Sequence, residues 1–339
     1  MKAVYLEKPR KIKIKEIEKP KPEPEEIMVR VKSVGICGSD VHYYETGRIG
    51  QFVVKKPLIL GHECSGKVVE LGREVNNLKV GDRVALEPGI PCRICNYCKR
   101  GRYNLCPNVR FMATPPIDGA FVEYVAHPAD FSFKIPENIS YDEATLFEPL
   151  AVGLYAVERA GIKPEYRVLI LGAGPVGLAT LQSALCTKGA DTTVVDLYEF
   201  RLTKAKELGA KKVINAKDVD ILKQLSPEFD VVFETAGSVA TTQQTVKLAK
   251  RGGKVILVGL PAQEEISFNI HQIISKELDI LGVFRYANMY PRAVRLTQRG
   301  SVNLKSFITQ RFSFEDTEKA LKFVRDNKDS CVKAVIQIS

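Results

Sequence analysis

The chain has 339 residues, 45% of them hydrophobic and 27% charged, which suits a protein of two domains better than one small core. Its formal net charge is +10, but basic residues alternate with acidic ones without long runs of like charge, which disfavours a nucleic-acid-binding surface. Glycine, proline and polar residues interrupt the longest apolar stretch, 168–186, so no membrane span is expected.

The start of the chain and its cysteines indicate the compartment. Met1 leads straight into alternating residues without a signal-peptide core, so a cytoplasmic location is expected. Thiols stay reduced in that compartment. The eight cysteines are therefore expected to be metal ligands or free thiols rather than disulfides.

The first half of the chain is predicted to be rich in β-strands. Runs of Val, Ile and Tyr separated by turn signals predict strands over 3–6, 12–17, 27–34, 66–71, 83–86 and 121–126. Short strands at this spacing are typical of a small barrel or sandwich whose loops carry the functional residues.

Two polar clusters follow strand-like runs in this half. One contains Cys37, Ser39, Asp40 and His42, and the other is Gly61-His62-Glu63-Cys64. Thiolate, imidazole and carboxylate are the ligands that Zn²⁺ takes in catalytic sites with one position open for water or substrate. A buried thiol and ordinary loop histidines would explain single residues of this kind, but their clustering favours a metal centre.

A four-cysteine loop carries the clearest metal signal. Cys92, Cys95, Cys98 and Cys106 have the spacing C-x₂-C-x₂-C-x₇-C. Each short spacing lets a tight loop direct two thiolates at one cation, and four sulfurs complete the tetrahedron of a structural zinc. An iron–sulfur cluster and a nucleic-acid-binding zinc ribbon are the alternatives.

The second half of the chain changes its hydrophobic period. An apolar strand over Arg167–Leu171 precedes Gly172, Gly174 and Gly177, then a helix to about Lys188 and a strand that ends at Asp196. In this order the three glycines allow a tight turn, close approach to a pyrophosphate at the helix N-terminus, and close packing of helix on strand. The pattern predicts a dinucleotide site.

Asp196 indicates which dinucleotide binds. A carboxylate at this position accepts hydrogen bonds from the ribose 2′-hydroxyl and repels a 2′-phosphate, which favours NAD over NADP. Arg201 weakens the argument because a nearby guanidinium neutralises a phosphate. Further strands over 212–215, 229–235, 254–258 and 279–284 give about six parallel strands in a doubly wound sheet.

The segment from about Met289 resumes short elements, predicted as strands over 306–314 and 332–338 with a helix over 315–325. The last strand needs a partner sheet, so this segment is expected to fold back onto the first domain. The predicted domains are therefore 1–149, 150–288 and a return segment, 289–339. An active site is expected in the cleft between the two lobes.

Taken together, these motifs resemble the zinc-dependent medium-chain alcohol dehydrogenases. The resemblance rests on the Cys37–His42 and Gly61–Glu63 segments, the four-cysteine loop and the glycine motif. A narrower resemblance, to the sorbitol (polyol) dehydrogenase branch, rests on segments 42–44, 47–50, 113–116, 147–149 and 282–288. It implies an α/β protein with a GroES-like β-rich catalytic domain and a Rossmann domain, one catalytic and one structural zinc, NAD, polyol-to-ketose chemistry and a homotetramer.

Functional residues follow from the resemblance position by position. Cys37, His62 and Glu63 match the catalytic zinc ligands and Glu148 matches a glutamate bonded to the zinc-bound water; spacing leaves open which of the two glutamates is the direct ligand. Residues expected to hold the polyol are Tyr43, Phe111, Glu148, Arg285 and Tyr286. Residues expected at the cofactor are Gly172, Gly174, Val176, Gly177, Asp196, Arg201, Val258, Gly259, Leu260, Val283, Phe284 and Arg285.

The implied chemistry is hydride transfer from a zinc-polarised substrate hydroxyl to the nicotinamide. Ser39 and His42 resemble a proton relay, and Asp40 either orients His62 or only caps the following helix. An L-threonine or galactitol-type dehydrogenase would share every zinc and NAD feature. A non-enzymatic dinucleotide-binding protein is the alternative of another class, and it predicts loss of the zinc ligands.

Overall fold

The computed structural model of the chain describes residues 1–187 and 190–339. Two compact units are present: Met1–Glu148 with Tyr290–Gly300 and Leu304–Ser339, and Pro149–Met289 with Ser301–Asn303. The second unit thus takes three residues from the expected return segment, where the Asn303 backbone N–H donates to the Gln182 Oε1 at 2.9 Å. Lys188, the expected end of the helix after the glycine motif, lies outside the described residues.

Short strands dominate the first unit, as the sequence predicts. They are β1 (Lys2–Lys8), β2 (Lys11–Glu16), β3 (Glu26–Gly35), β4 (Arg48–Ile49), β5 (Phe52–Val53), β6 (Leu58–Ile59), β7 (Glu63–Leu71), β8 (Arg83–Leu86), β9 (Gly89–Ile90), β10 (Arg110–Phe111), β11 (Tyr124–Pro128) and β12 (Ser132–Lys134). The helices in this part of the chain are α1 (Gly38–Thr46), α2 (Asn96–Lys99) and α3 (Tyr141–Thr145), with 3₁₀ turns over Tyr103–Leu105 and Ala129–Phe131.

The antiparallel pair β3 and β7 brings the two polar clusters together. The register places Val34 opposite Cys64 and Gly35 opposite Glu63. Because the strands run in opposite directions, the residues just after β3 and those just before β7 meet at one end of the sheet. A Cβ atom at Gly35 would lie 2.0 Å from the Glu63 Oε2, so only glycine leaves room for that carboxylate.

The second unit contains the predicted doubly wound sheet. Its strands are β13 (Arg167–Leu171), β14 (Asp191–Asp196), β15 (Lys212–Asn215), β16 (Phe229–Glu234), β17 (Ala249–Leu257) and β18 (Asp279–Gly282). In the described part of the chain all six are parallel, in the order β15-β14-β13-β16-β17-β18, so the order reverses beside β13. Ligands in such sheets bind at the carboxyl ends of the strands near this reversal.

Helices connect these parallel strands. They are α4 (Phe147–Ala160), which begins at the end of the first unit, α5 (Pro175–Leu185), α6 (Glu199–Glu207), α7 (Ile221–Gln224), α8 (Val239–Leu248) and α9 (Ile270–Lys276). No helix among the described residues is both long and apolar enough to cross a bilayer.

The return segment rejoins the first unit, as expected. It forms α10 (Tyr290–Gln298), β19 (Ile308–Ser313), α11 (Thr317–Asp326) and β20 (Lys333–Gln337), with 3₁₀ turns over Lys305–Phe307 and Phe314–Asp316. Strand β20 pairs antiparallel with β3 and parallel with β19. The α10 helix was not predicted, although its buried residues Tyr290, Ala293 and Thr297 recur at helical spacing.

A buried carboxylate joins this segment to the sheet. Asp142 accepts hydrogen bonds from the Ser33 hydroxyl at 2.6 Å, the Arg311 Nε at 2.7 Å and the Gln337 Nε2 at 3.0 Å. These donors lie on β3, β19 and β20, so one side chain ties the end of the chain to its beginning.

Candidate catalytic metal centre and cofactor site

Three possible zinc ligands converge where β3 ends and β7 begins. One ligand atom each of Cys37, His62 and Glu63 lies within 4.8 Å of the other two. His62 is 7% exposed and Glu63 is 1% exposed, whereas Cys37 is half-buried, so two of the three groups are shielded from water. Thiol, imidazole and carboxylate around one point match the donor set of a catalytic zinc.

The electrostatics of this cluster favour a cation. Burial alone would lower the pKa of His62, but its hydrogen bond to Cys37 and the charges of Cys37, Asp40 and Glu148 raise that pKa to about 10. Several buried groups thus hold a positive charge at the imidazole in the metal-free protein. The residues present therefore fit a bound Zn²⁺, which would take the place of that proton.

Asp40 caps α1, one of the two roles that the sequence left open, and also lies beside His62. Its Oδ2 accepts the Cys37 backbone N–H at 2.9 Å, which caps α1, and its Oδ1 accepts the Gly61 backbone N–H at 2.9 Å. The same Oδ1 lies 3.8 Å from the His62 Nδ1. One fully buried carboxylate thus holds both metal-binding segments, and its burial raises its own pKa.

Lys333 is a member of this site that the sequence analysis missed. The Lys333 residue is 2% exposed, and its Nζ donates to both oxygens of Glu63 at 2.6 and 2.7 Å and to the Ile36 carbonyl at 3.0 Å. An ionised carboxylate has about four lone-pair directions, so this pairing leaves room for a metal. A lone lysine inside the apolar run that forms β20 was the signal available.

Glu148 also acts on the cluster. It lies in the first turn of α4 and is 6% exposed. Burial lowers the pKa of both His62 and Lys333, nearer groups raise it, and the charge of Glu148 adds a smaller upward contribution to both. The group of ligand atoms within 4.8 Å contains Glu63 and not Glu148.

The remaining predicted residues of the first unit are three on α1, which begins just after Cys37, and Phe111 beside His62. Ser39 is half-buried and His42 exposed, three residues apart on α1, whereas Tyr43 on the same helix is 3% exposed. The Phe111 ring lies 5.7 Å from the His62 ring and covers it with an apolar surface.

The four cysteines form a second, separate cluster. One sulfur from each of Cys92, Cys95, Cys98 and Cys106 lies within 4.8 Å of the others, and the Cys95 and Cys98 sulfurs are 3.4 Å apart. Backbone N–H groups of Ile94 and Cys95 lower the pKa of Cys92 to about 6, which favours the thiolate that a metal needs. Four converging sulfurs fit a structural zinc.

The glycine motif has the geometry of a dinucleotide site. Gly172 has φ +107°, and a Cβ atom at Gly177 would lie 2.0 Å from the Gly172 carbonyl oxygen, so both positions require glycine. Gly174 caps α5, with Pro175 at its first position, and space remains beside it. The Val176 and Gly177 backbone N–H groups thus lie in the first turn, where a pyrophosphate binds.

Asp196 ends β14 as expected. Its Oδ2 accepts the Ala173 backbone N–H at 2.6 Å, so the carboxylate lies directly beside the glycine motif. The Arg201 Nη1 is 3.7 Å from the position of a Cβ atom on Gly174.

The other predicted cofactor residues lie at the ends of β17 and β18. The Val258 and Gly259 backbone N–H groups both donate to the Glu234 carbonyl at 2.9 Å, and Leu260 is 74% exposed. The Val283 backbone N–H donates to the Leu257 carbonyl at 2.8 Å. Farther along, Phe284 is 43% exposed, Arg285 has φ +53° and Tyr286 is 3% exposed.

Known proteins share these features. Residues 23–137 match the alcohol dehydrogenase GroES-like domain and residues 175–299 match the zinc-binding dehydrogenase family. Sorbitol dehydrogenase of Bacillus subtilis (strain 168) is 44% identical over 99% of this chain and 97% of its own length.

Solved structures agree with this assignment. An Escherichia coli oxidoreductase of unknown specificity has a TM-score of 0.94 at 42% identity, covering 100% of this chain and 99% of its own. An alcohol dehydrogenase from E. coli CFT073 complexed with NADH has a TM-score of 0.92 at 29% identity, covering 99% of both chains. The chain belongs to the zinc-dependent medium-chain alcohol dehydrogenase family, in its sorbitol dehydrogenase branch.

Proposed function

We propose that this protein oxidises a polyol of the sorbitol or xylitol class to the ketose, with NAD as hydride acceptor. The observation that carries the proposal is the convergence of Cys37, His62 and Glu63, two of them buried, in a chain that also has a complete dinucleotide motif. Retention of all these groups argues against a non-enzymatic dinucleotide-binding protein.

The roles of the metal-binding residues follow from their positions. Cys37, His62 and Glu63 would hold the catalytic zinc, because Glu63 rather than Glu148 belongs to the tight group of ligand atoms. When bound, zinc supplies a Lewis acid that lowers the pKa of the substrate hydroxyl. Glu148, buried and close enough to influence His62, would accept a hydrogen bond from the group at the open position.

Ser39 and His42 would carry the proton away. Residues three apart on a helix lie on the same face, so the half-buried Ser39 hydroxyl and the exposed His42 imidazole form a path from the interior toward water. Tyr43, Phe111, Arg285 and Tyr286 are proposed to hold the polyol. Their mix of aromatic surface and hydrogen-bonding groups suits a ligand with several hydroxyls.

Asp196 supports NAD rather than NADP as the cofactor. The carboxylate lies beside the glycine motif, where it can accept from ribose hydroxyls and would repel a 2′-phosphate. Arg201 would bind a phosphate of the same cofactor from its position beside Gly174. The other predicted cofactor residues would line the nicotinamide half.

The test is an initial-rate screen that follows NADH absorbance. Sorbitol, xylitol, ribitol, galactitol, L-threonine and ethanol are each offered with NAD and with NADP, before and after chelation. Chelator-sensitive reduction of NAD by sorbitol or xylitol is expected. Activity on threonine or ethanol alone would contradict the substrate class, and no activity with zinc-loaded protein would contradict the enzymatic role.

We propose that the protein assembles as a homotetramer, with one contact between copies at the edge of the parallel sheet. In the described part of the chain β18 has a neighbour, β17, on one side only. Ile270 and Ile274 of α9 are 58% and 69% exposed and lie one helical turn apart. An open strand beside apolar side chains fits a second copy related by a twofold axis.

Light scattering of the wild type and of Ile274→Glu tests this assembly. The wild type is expected to have four times the mass of one chain, and the variant a smaller mass. A monomeric wild type, or a variant with unchanged mass, would contradict the proposed contact.

We propose a cytoplasmic location. No disulfide joins the cysteines of the described residues, and four of them have metal-ligand spacing that requires reduced thiols. Fractionation of the source cells should recover the protein with cytoplasmic markers. Recovery in an exported fraction would contradict the proposal.

A further inference from the structure

A buried carboxylate that no motif indicated lies at the carboxyl edge of the parallel sheet. Glu234 is the last residue of β16 and is 1% exposed. Its Oε1 accepts hydrogen bonds from the backbone N–H groups of Ala236 at 3.0 Å and Gly237 at 2.9 Å, and from the Thr241 hydroxyl at 2.7 Å. One oxygen thus fixes the turn that follows its own strand.

This turn packs directly against the glycine motif. The Thr235 hydroxyl donates to the carbonyl oxygens of Leu171 at 2.9 Å and Gly172 at 3.0 Å. A Cβ atom at either Gly172 or Gly177 would lie 2.9 Å from that hydroxyl. The two glycines that start the dinucleotide site therefore have Thr235 as an immediate neighbour.

Glu234 also contacts the loop that follows β17. Its carbonyl accepts the backbone N–H groups of Val258 and Gly259, both at 2.9 Å. A Cβ atom at Gly259 would lie 2.5 Å from the Glu234 Oε2 and 2.4 Å from the Gly237 nitrogen. Only glycine fits there, and it brings the 258–260 loop onto the carboxylate.

Capping of the next helix does not explain this arrangement. Ser238 already caps α8, because its side chain accepts the Thr241 backbone N–H at 3.2 Å. The Glu234 contacts are instead shared between two loops, the 235–237 turn and the 258–260 loop, at the edge of the sheet where cofactors bind in such folds.

We propose that Glu234 is a positioning residue of the dinucleotide site. Its carboxylate holds the 235–237 turn beside the glycine motif, and its backbone carbonyl holds the 258–260 loop next to that turn, so that the backbone facing NAD is ordered before the cofactor arrives. Preorganisation of this kind lowers the entropy lost on binding. The inference rests on the proposed function, because it concerns the same cofactor.

Glu234→Gln is the variant that tests it. The amide keeps the volume and one acceptor oxygen but loses the charge, so the three donors to Oε1 would face a neutral acceptor. NADH affinity, followed by nucleotide fluorescence, should weaken about fivefold to tenfold, the difference between charged and neutral acceptors. The KM for NAD should rise similarly, with the KM for sorbitol and the zinc content unchanged. The control is Glu228→Gln, at an exposed residue paired with Arg167, and its Kd should match the wild type.

A second variant separates positioning from simple loss of stability. Thr241→Val removes one donor to the carboxylate and should weaken NADH about twofold to threefold alone, but not further in the Glu234→Gln background. A lower melting temperature with an unchanged Kd in Glu234→Gln would overturn the inference. Failure of the wild type itself to bind NADH would overturn the proposed cofactor as well.

Discussion

Removing the ammonium group from the buried pair at the metal site should destabilise the metal-free protein strongly. Lys333 donates to both oxygens of Glu63, and both side chains are 1% exposed. Lys333→Met leaves an unpaired carboxylate in a dry site, and loss of one partner from such a pair costs about 3–5 kcal/mol. In domains of this size the loss lowers Tm by roughly 6–20 °C.

Calorimetry of chelator-treated protein measures this effect. Lys322→Met is the matched control, because Lys322 is an exposed lysine paired with Glu318 and its loss should change Tm little. The double variant Lys333→Met with Glu63→Gln should recover much of the lost stability, since no buried charge remains unpaired. Added zinc should stabilise Lys333→Met more than the wild type, because the metal replaces the missing cation. A Tm of Lys333→Met equal to that of the wild type would refute the reasoning.

Three further predictions concern separate parts of the first unit. Ser39→Ala should lower turnover about tenfold or more while NADH affinity stays within twofold, as expected for a proton relay; normal turnover would remove Ser39 from it. Cys98→Ser should reduce the zinc content, measured by atomic absorption, from two ions per chain to one, with NADH affinity preserved; two ions would contradict the four-sulfur site. Burial lowers the pKa of His127 to about 4, so unfolding takes up a proton below the ordinary pKa of about 6.5, and stability falls as pH drops toward 4. In urea titrations the free energy of unfolding of His127→Gln should vary with pH by about 3 kcal/mol less than that of the wild type. Parallel pH profiles for the two proteins would contradict the assignment to His127.

The sequence predicts those parts of the fold that depend on local patterns. The glycine motif, the strand that ends at Asp196 and the four-cysteine spacing each lie within a short segment, so composition and spacing are enough to indicate them. The return of the last strand to the first unit was also predicted, because a strand needs a partner. The α10 helix was missed, although its buried residues Tyr290, Ala293 and Thr297 recur at helical spacing.

The missing members of the sites are long-range partners. Lys333 lies 270 positions after Glu63, and Asp142 joins strands at both ends of the chain. The apolar run around Lys333 hints that this lysine is buried, but the partner of each side chain follows from strand pairing that only the folded chain defines. Asp40 could be assigned two alternative roles from sequence; the geometry shows the helix cap and places the carboxylate 3.8 Å from the His62 Nδ1.

The central claim is hydride transfer from a polyol to NAD, and one measurement tests it most directly. Sorbitol deuterated at C2 is incubated with NAD and the zinc-loaded enzyme, and the NADH formed is analysed by mass spectrometry. The account predicts one deuterium in each NADH formed, and no NADH from chelator-treated protein. Unlabelled NADH, or a rate that chelation leaves unchanged, would contradict it.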